Sequence, residues 1–73
     1  MGDPWGRWAK RIAVNIKRRR LQLSLTQEEA AHHIGLATRH YQKLEAGEVN
    51  ITLRTIIRVA QALKMEPAAL FRA

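Results

Sequence analysis

Seventy-three residues suffice for one domain with a thin core, whose stability is modest or partly owed to a partner. Lys and Arg number 13 against 6 acidic residues, a net charge of +7, which predicts attraction to a polyanion, nucleic acid before an anionic membrane. With no cysteine there is neither a disulfide framework nor a zinc finger, and no apolar run approaches a membrane span or a signal segment, so the chain reads as cytoplasmic.

Residues 1–6 hold two glycines and a proline and read as a flexible lead-in to a single domain over residues 7–73. A first helix is expected over about Arg7 to Gln22, because Trp8, Ile12 and Ile16 recur at helical spacing. Trp5 and Trp8 either plug one end of the core or form a patch for a partner. The polar side of this helix carries Arg7, Lys10, Arg11, Lys17, Arg18, Arg19 and Arg20 without an acid among them. Such a run is either a solvated face or a phosphate-contacting surface, and its one-sidedness favours the second. Arg20 continues the apolar stripe four residues after Ile16, so it is expected to point inward or sideways, where a charge is costly unless it is paired. Glu45 is the acid expected to pair with it. Ser24 stands in a link that would suit glycine, which predicts a mildly strained backbone there.

Thr26 to Gly47 is the organising stretch. Thr26 is a good N-cap, and Glu29 sits where it completes a capping box. A helix from Gln27 to Ile34 follows, then Gly35 for a sharp turn, then a second helix from Thr38 to Glu45 closed by Gly47. Ala30, Ala31, Ile34, Leu36, Tyr41 and Leu44 form the inward set, and the small Ala31 suits the point where two helices cross. This is the spacing of a helix-turn-helix, whose second helix enters a DNA major groove. After a polar loop, Thr52 caps a helix over about Leu53 to Lys64, with Leu53, Ile56, Ile57, Ala60 and Leu63 as its apolar stripe. Pro67 starts a last short helix to Phe71. Leu70 and Phe71 either close the core or stay half exposed for a second copy of the chain.

The stretches Gln27-Glu28-Glu29-Ala30-Ala31, Ile34-Gly35-Leu36 and Tyr41-Gln42-Lys43-Leu44-Glu45-Ala46-Gly47, followed by Leu53 to Leu63, resemble the Cro and phage-repressor type of helix-turn-helix domain, the XRE-type regulators. The resemblance spans about Ile12 to Phe71. It implies an all-α, lambda-repressor-like bundle of five helices in a bacterial or phage-encoded protein, binding double-stranded operator DNA as a symmetric homodimer. Residue by residue, it implies that Gln27 bonds a phosphate beside the groove, that Thr38, Arg39 and Lys43 read bases, and that Arg20 and Glu45 form an ion pair. Three positions depart from the pattern. Tyr41 replaces an aliphatic residue. Ala37 stands where a capping Ser or Thr is frequent, which leaves Thr38 to cap its own helix. Ala46 lacks a phosphate-contacting side chain.

With Tyr41 and Leu44 inward, Arg39 and Lys43 point outward, flanked by Gln42 and His40. Arg39 suits a bidentate contact to guanine, so a half-site containing guanine is expected. The candidate interface is therefore Thr38, Arg39, Gln42 and Lys43 for bases. Gln27, Lys17, Arg18, Arg19, His40, Asn50, Thr52 and Arg54 are the candidates for phosphates. One helix reads few base pairs, so two copies about 34 Å apart on a near-palindrome are expected. Ile51, Leu70 and Phe71 are the expected dimer contacts.

An enzyme is disfavoured. His32 and His33 point about 100° apart on a helix, no Cys or Asp lies beside them, and His40 has no nucleophile partner. No metal, cofactor or small-molecule effector is called for. The alternative is an antitoxin or other interaction module of the same fold, for which only the Trp5/Trp8 and Leu70/Phe71 ends offer a patch. Within the regulators, the chain reads either as a whole small protein, such as a restriction–modification controller or small phage repressor, or as the DNA-binding part of a longer one.

Overall fold

A computed structural model describes residues 4–73. Four α-helices, α1 (Pro4–Gln22), α2 (Gln27–Ile34), α3 (Thr38–Glu45) and α4 (Leu53–Ala62), are followed by a 3-10 helix, Pro67–Phe71. The expected all-α fold of five helices is present, with the fifth wound tightly, as suits five residues led by proline. α1 begins at Pro4 rather than Arg7, because proline fits the first turn, where its missing N–H is no loss. Of the expected lead-in, residues 1–3 lie outside the described residues.

All four α-helices end in the same way. Ser24, Gly35, Gly47 and Lys64 each follow a helix with positive φ, at 57°, 86°, 73° and 55°. The next residue then donates its N–H to the carbonyl five residues back: Leu25 to Arg20, Leu36 to Ala31, Glu48 to Lys43 and Met65 to Ala60. This is the Schellman closure, and it satisfies carbonyls that a helix end leaves orphaned. Only two of the four left-handed positions are glycine. The strain expected at Ser24 is thus present, and Lys64 shares it. Replacing Ser24 by Gly is expected to stabilise the fold by about 1 kcal/mol, and Lys64→Gly by a similar amount. Thermal melts of the two variants check this. A melting temperature that does not rise would show that local hydrogen bonding already offsets the strain.

The core gathers Ile12 and Ile16 of α1, Ala30, Ala31 and Ile34 of α2, Tyr41 of α3, Ile56, Val59 and Ala60 of α4, Leu63, and Leu70 of the terminal helix. Ala31 is fully enclosed where α2 meets its neighbours, as its size predicts. The stripe of α4 is rotated from the expected one. Leu53 is 73% exposed and Ile57 lies at the surface, while Val59 is fully buried in their place. The helix carries two overlapping apolar frames, and packing selects Ile56, Val59, Ala60 and Leu63. Trp8 does half of what a core plug would do. Its ring packs 6.0 Å from that of Phe71, under the Arg11 guanidinium, yet it stays partly exposed.

Two long-range polar contacts fasten the C-terminal part to α1. Buried Asn15 donates from Nδ2 to the carbonyls of Leu70 and Arg72, both at 2.8 Å. Arg19 donates from Nε to the Leu63 carbonyl at 2.8 Å and from Nη2 to that of Lys64 at 3.0 Å. Arg58 of α4 serves the end of α2 likewise, donating from Nη2 to the Ile34 carbonyl at 2.9 Å. These cations sit where helix C-termini concentrate negative partial charge.

Candidate nucleic-acid interface

α2 is started by a complete capping box. The Thr26 side chain accepts from the Glu29 N–H at 3.0 Å, and the Glu29 carboxylate accepts from the Thr26 N–H at 2.9 Å. The bond from Thr26 holds the Glu29 carboxyl below the usual glutamate range. Gly35 then turns the chain and α3 begins. Its N-cap is Ala37, which has no side chain to cap with, and Thr38 is the first helical residue. The expectation that Thr38 caps its own helix is corrected. Its hydroxyl is released from that task, and no side chain at the N-cap bonds the helix start.

α3 presents two unlike faces. Tyr41 and Leu44 are buried, while Arg39, His40, Gln42, Lys43 and Ala46 are exposed. Among the described residues, no hydrogen bond or ion pair engages the side chain of Arg39 or Lys43. The helix has one acid, Glu45, and Arg20 of α1 neutralises it. Arg20 donates from Nε to Glu45 Oε2 at 2.8 Å and from Nη2 to Oε1 at 2.7 Å, a bidentate fork. Its Nη1 donates to the Leu25 carbonyl at 2.8 Å. The expected pair therefore forms, and it joins α1, the link into the motif and the end of α3.

Glu45 has two more donors. The Tyr41 hydroxyl donates to Oε2, and Gln27 donates from Nε2 to Oε1 at 3.3 Å. Burial alone would raise the Glu45 carboxyl, but the bonds from Arg20, Tyr41 and Gln27 outweigh it and hold the group below the usual glutamate range. The Arg20 guanidinium is raised chiefly by its bond to Glu45. Burial, then the bond to Glu45, pushes the Tyr41 hydroxyl far above its ordinary value, so it remains a donor at every working pH. The tyrosine that departs from the family pattern thus has a polar task as well as a packing one. Gln27 in turn accepts from Gln42 Nε2 at 3.3 Å, which brings the first residue of α2 against the outward side of α3.

The basic residues of α1 divide by face. Lys17 is exposed and lies about 60° round the helix from Arg20, on the side of α3. Lys10 shares the Lys17 side at i, i+7, and its backbone lies against Gly47: a Cβ placed there would meet Lys10 Cα at 3.2 Å. Lys10 belongs to the basic run of α1 but was not singled out with Lys17 as a phosphate contact, although its spacing from Lys17 carried the signal. Arg18 and Arg19 face away from α3. Arg18 stands about 200° from Arg20 and donates from Nη1 to Asn15 Oδ1 at 3.0 Å, at the terminal helix. Arg19 is occupied by the carbonyls closing α4.

At the α3–α4 loop, Asn50, Thr52 and Arg54 are exposed, and Thr52 caps α4 by accepting from the Thr55 N–H at 3.1 Å. The dimer candidates separate. Leu70 is fully buried in the core and is corrected: it offers no surface to a second copy. Phe71 is partly exposed, and with half-buried Ile51 and with Trp5 and Trp8 it lines an open apolar cleft. Among the described residues no helix is long and apolar enough to cross a membrane.

Comparison with known proteins agrees with this architecture. A solved restriction–modification controller protein, C.AhdI from Aeromonas hydrophila, superposes with a TM-score of 0.82 at 30% identity, over 86% of this chain and 96% of that one. A hypothetical transcription factor, NHTF, from Neisseria superposes with a TM-score of 0.86 at 26% identity, over 99% of this chain and 84% of its own. An HTH_3 family transcriptional regulator from Vibrio cholerae shares the fold, with a TM-score of 0.84 at 24% identity, and this chain spans 37% of its length. No curated protein matches by sequence. A family model described as helix-turn-helix, HTH_3, matches residues 16–70, and the chain belongs to that family.

Proposed function

We propose that the protein is a sequence-specific, double-stranded-DNA-binding transcriptional regulator, with α3 as its recognition helix and a homodimer as its working form, and that it is not an enzyme. The observation that carries this is the state of α3. Its one acid is neutralised by Arg20, while Arg39 and Lys43 project outward without an intramolecular partner. A helix prepared in this way suits the major groove, where Arg39 takes the O6 and N7 of guanine and Lys43 a guanine or a phosphate. Thr38 and Gln42 complete the base-reading set. Gln27, Lys10, Lys17, His40, Asn50, Thr52 and Arg54 supply phosphate contacts around it. The similar controller protein and regulators support the same reading.

Selection of bound duplexes from a random pool, at two salt concentrations, tests it. An inverted repeat with guanine in each half-site is expected, the halves about 34 Å apart. Arg39→Ala is expected to lose about 1–3 kcal/mol on the selected duplex and little on a scrambled one. Equal losses on both would remove Arg39 from the base-reading set, and recovery of no motif would overturn the regulator.

Salt dependence separates the two faces of α1. Lys10→Ala and Lys17→Ala are each expected to weaken all duplexes alike and to reduce the salt slope by about 1. Arg18→Ala is expected to leave that slope unchanged. Binding isotherms at several salt concentrations read both, and a slope that falls for Arg18→Ala would reverse the division.

A further inference from the structure

We propose that Gln42 reads adenine, because a relay of hydrogen bonds from Glu45 through Gln27 fixes the orientation of its amide. The proposal rests on the regulator reading and deepens it at one residue.

The Glu45 carboxylate is held ionised and accepts only. Its four acceptor sites meet four donors, two from Arg20, one from Tyr41 and one from Gln27. Gln27 must therefore turn its NH2 toward Glu45, which leaves its Oε1 facing Gln42. Gln42 must in turn offer its own NH2 to that oxygen. An amide flipped at either position would set oxygen against oxygen. The direction of the chain is thus dictated by the one member that cannot donate.

What remains on Gln42 is a free Oε1 and one N–H, on an exposed side chain of the recognition helix. In the major groove adenine offers an N6–H donor beside the N7 acceptor, and this pair matches that remainder. Guanine presents two acceptors, O6 and N7, and would require both N–H groups of Gln42. One of these is held by Gln27, so guanine meets the carbonyl oxygen of Gln42 instead, an unfavourable contact that acts as rejection. Gln27 is then a positioning residue for base reading. It keeps a second N–H for the phosphate contact that the family resemblance implies.

The test compares the wild type with Gln27→Met and Gln42→Met on duplexes that differ at one base pair. The operator selected for the wild type is expected to contain an adenine whose replacement by guanine lowers affinity about tenfold, and Gln42→Met is expected to erase that ratio. Gln27→Met frees both N–H groups of Gln42 and is expected to collapse the same adenine-over-guanine ratio. It leaves the guanine read by Arg39 as selective as before. The double variant is expected to add nothing further at this base pair. A merely structural or phosphate-binding Gln27 would instead weaken every duplex alike and preserve the ratio, and that result overturns the proposal. A ratio that survives Gln42→Met overturns it as well. Gln27→Ala, with melts of each variant, guards against a folding artefact. Failure to select any operator would remove the regulator reading itself, an outcome distinct from an operator whose base preferences ignore Gln27.

Discussion

Arg20→Ala is expected to destabilise the domain by about 3–5 kcal/mol, the range for removing one partner of a buried ion pair. Glu45 would keep a charge that is 4% exposed, with only Tyr41 and Gln27 left as donors. A domain of this size holds roughly 4–11 kcal/mol in total, so the variant should be partly unfolded near body temperature. The effect reaches beyond the pair, since Arg20 also donates to the Leu25 carbonyl in the link before α2. Replacing both partners, Arg20→Met with Glu45→Met, is expected to recover most of the loss, because no uncompensated charge then remains. Urea titrations of the single and double variants read this directly. A loss below about 1 kcal/mol for Arg20→Ala would place the pair among ordinary surface bridges.

The same site sets the response to acid. The folded-state pKa of Glu45 is depressed, so its contribution is fully present above the unfolded value, ordinarily near 4.5. As pH falls below that value and on through the lowered folded one, the contribution is lost. Tyr41 contributes no opposing change in this window, because its hydroxyl stays protonated throughout.

The ion pair was legible in the sequence because a charge interrupting an apolar stripe must be answered somewhere. The capping box and the turn at Gly35 were legible because their residue types act locally. What escaped was long-range or degenerate. Nothing near Arg19 indicates that its partners are carbonyls 44 and 45 positions later, or that Asn15 reaches across 55 positions to Leu70. A run of seven cations looks uniform until the helix's contacts assign its faces. The α4 stripe was misread because Leu53 and Val59 both stand three residues from Ile56, one on either side, and so fit helical spacing with it equally well. The same limit applied to Leu70, whose place in the core depends on the turn by which the terminal helix folds back onto α1. Tyr41 was read as a packing anomaly, since no sequence rule links its hydroxyl to the carboxylate one turn later.

Trp5→Glu is expected to lower affinity for the inverted-repeat operator by about 10²–10⁴-fold, while a duplex with one half-site is bound within a few-fold of the wild type. In a chain of net charge +7, the cleft lined by Trp5, Trp8, Ala9, Ile12, Asn50, Ile51, Ile56 and Phe71 contains no charged side chain. Two copies meeting there would bring together less like charge than at the basic faces, although the Arg11 guanidinium lies over the Trp8 ring. Trp5 is 72% exposed, and large aromatic side chains carry about 150–250 Å² each, so they dominate what a second copy would cover. A glutamate at this position would face its symmetry mate across an apolar contact. The first turn of α1 has no acid, and a helix N-terminus favours one. Sedimentation of both proteins on both duplexes separates the outcomes. A loss confined to the inverted repeat, with one copy bound where the wild type binds two, assigns the cleft to the dimer. Equal losses on both duplexes would place Trp5 in a single-copy role. A wild type that binds the inverted repeat as independent monomers would remove the dimer, and would return this face to the antitoxin-like alternative, in which a different protein covers it.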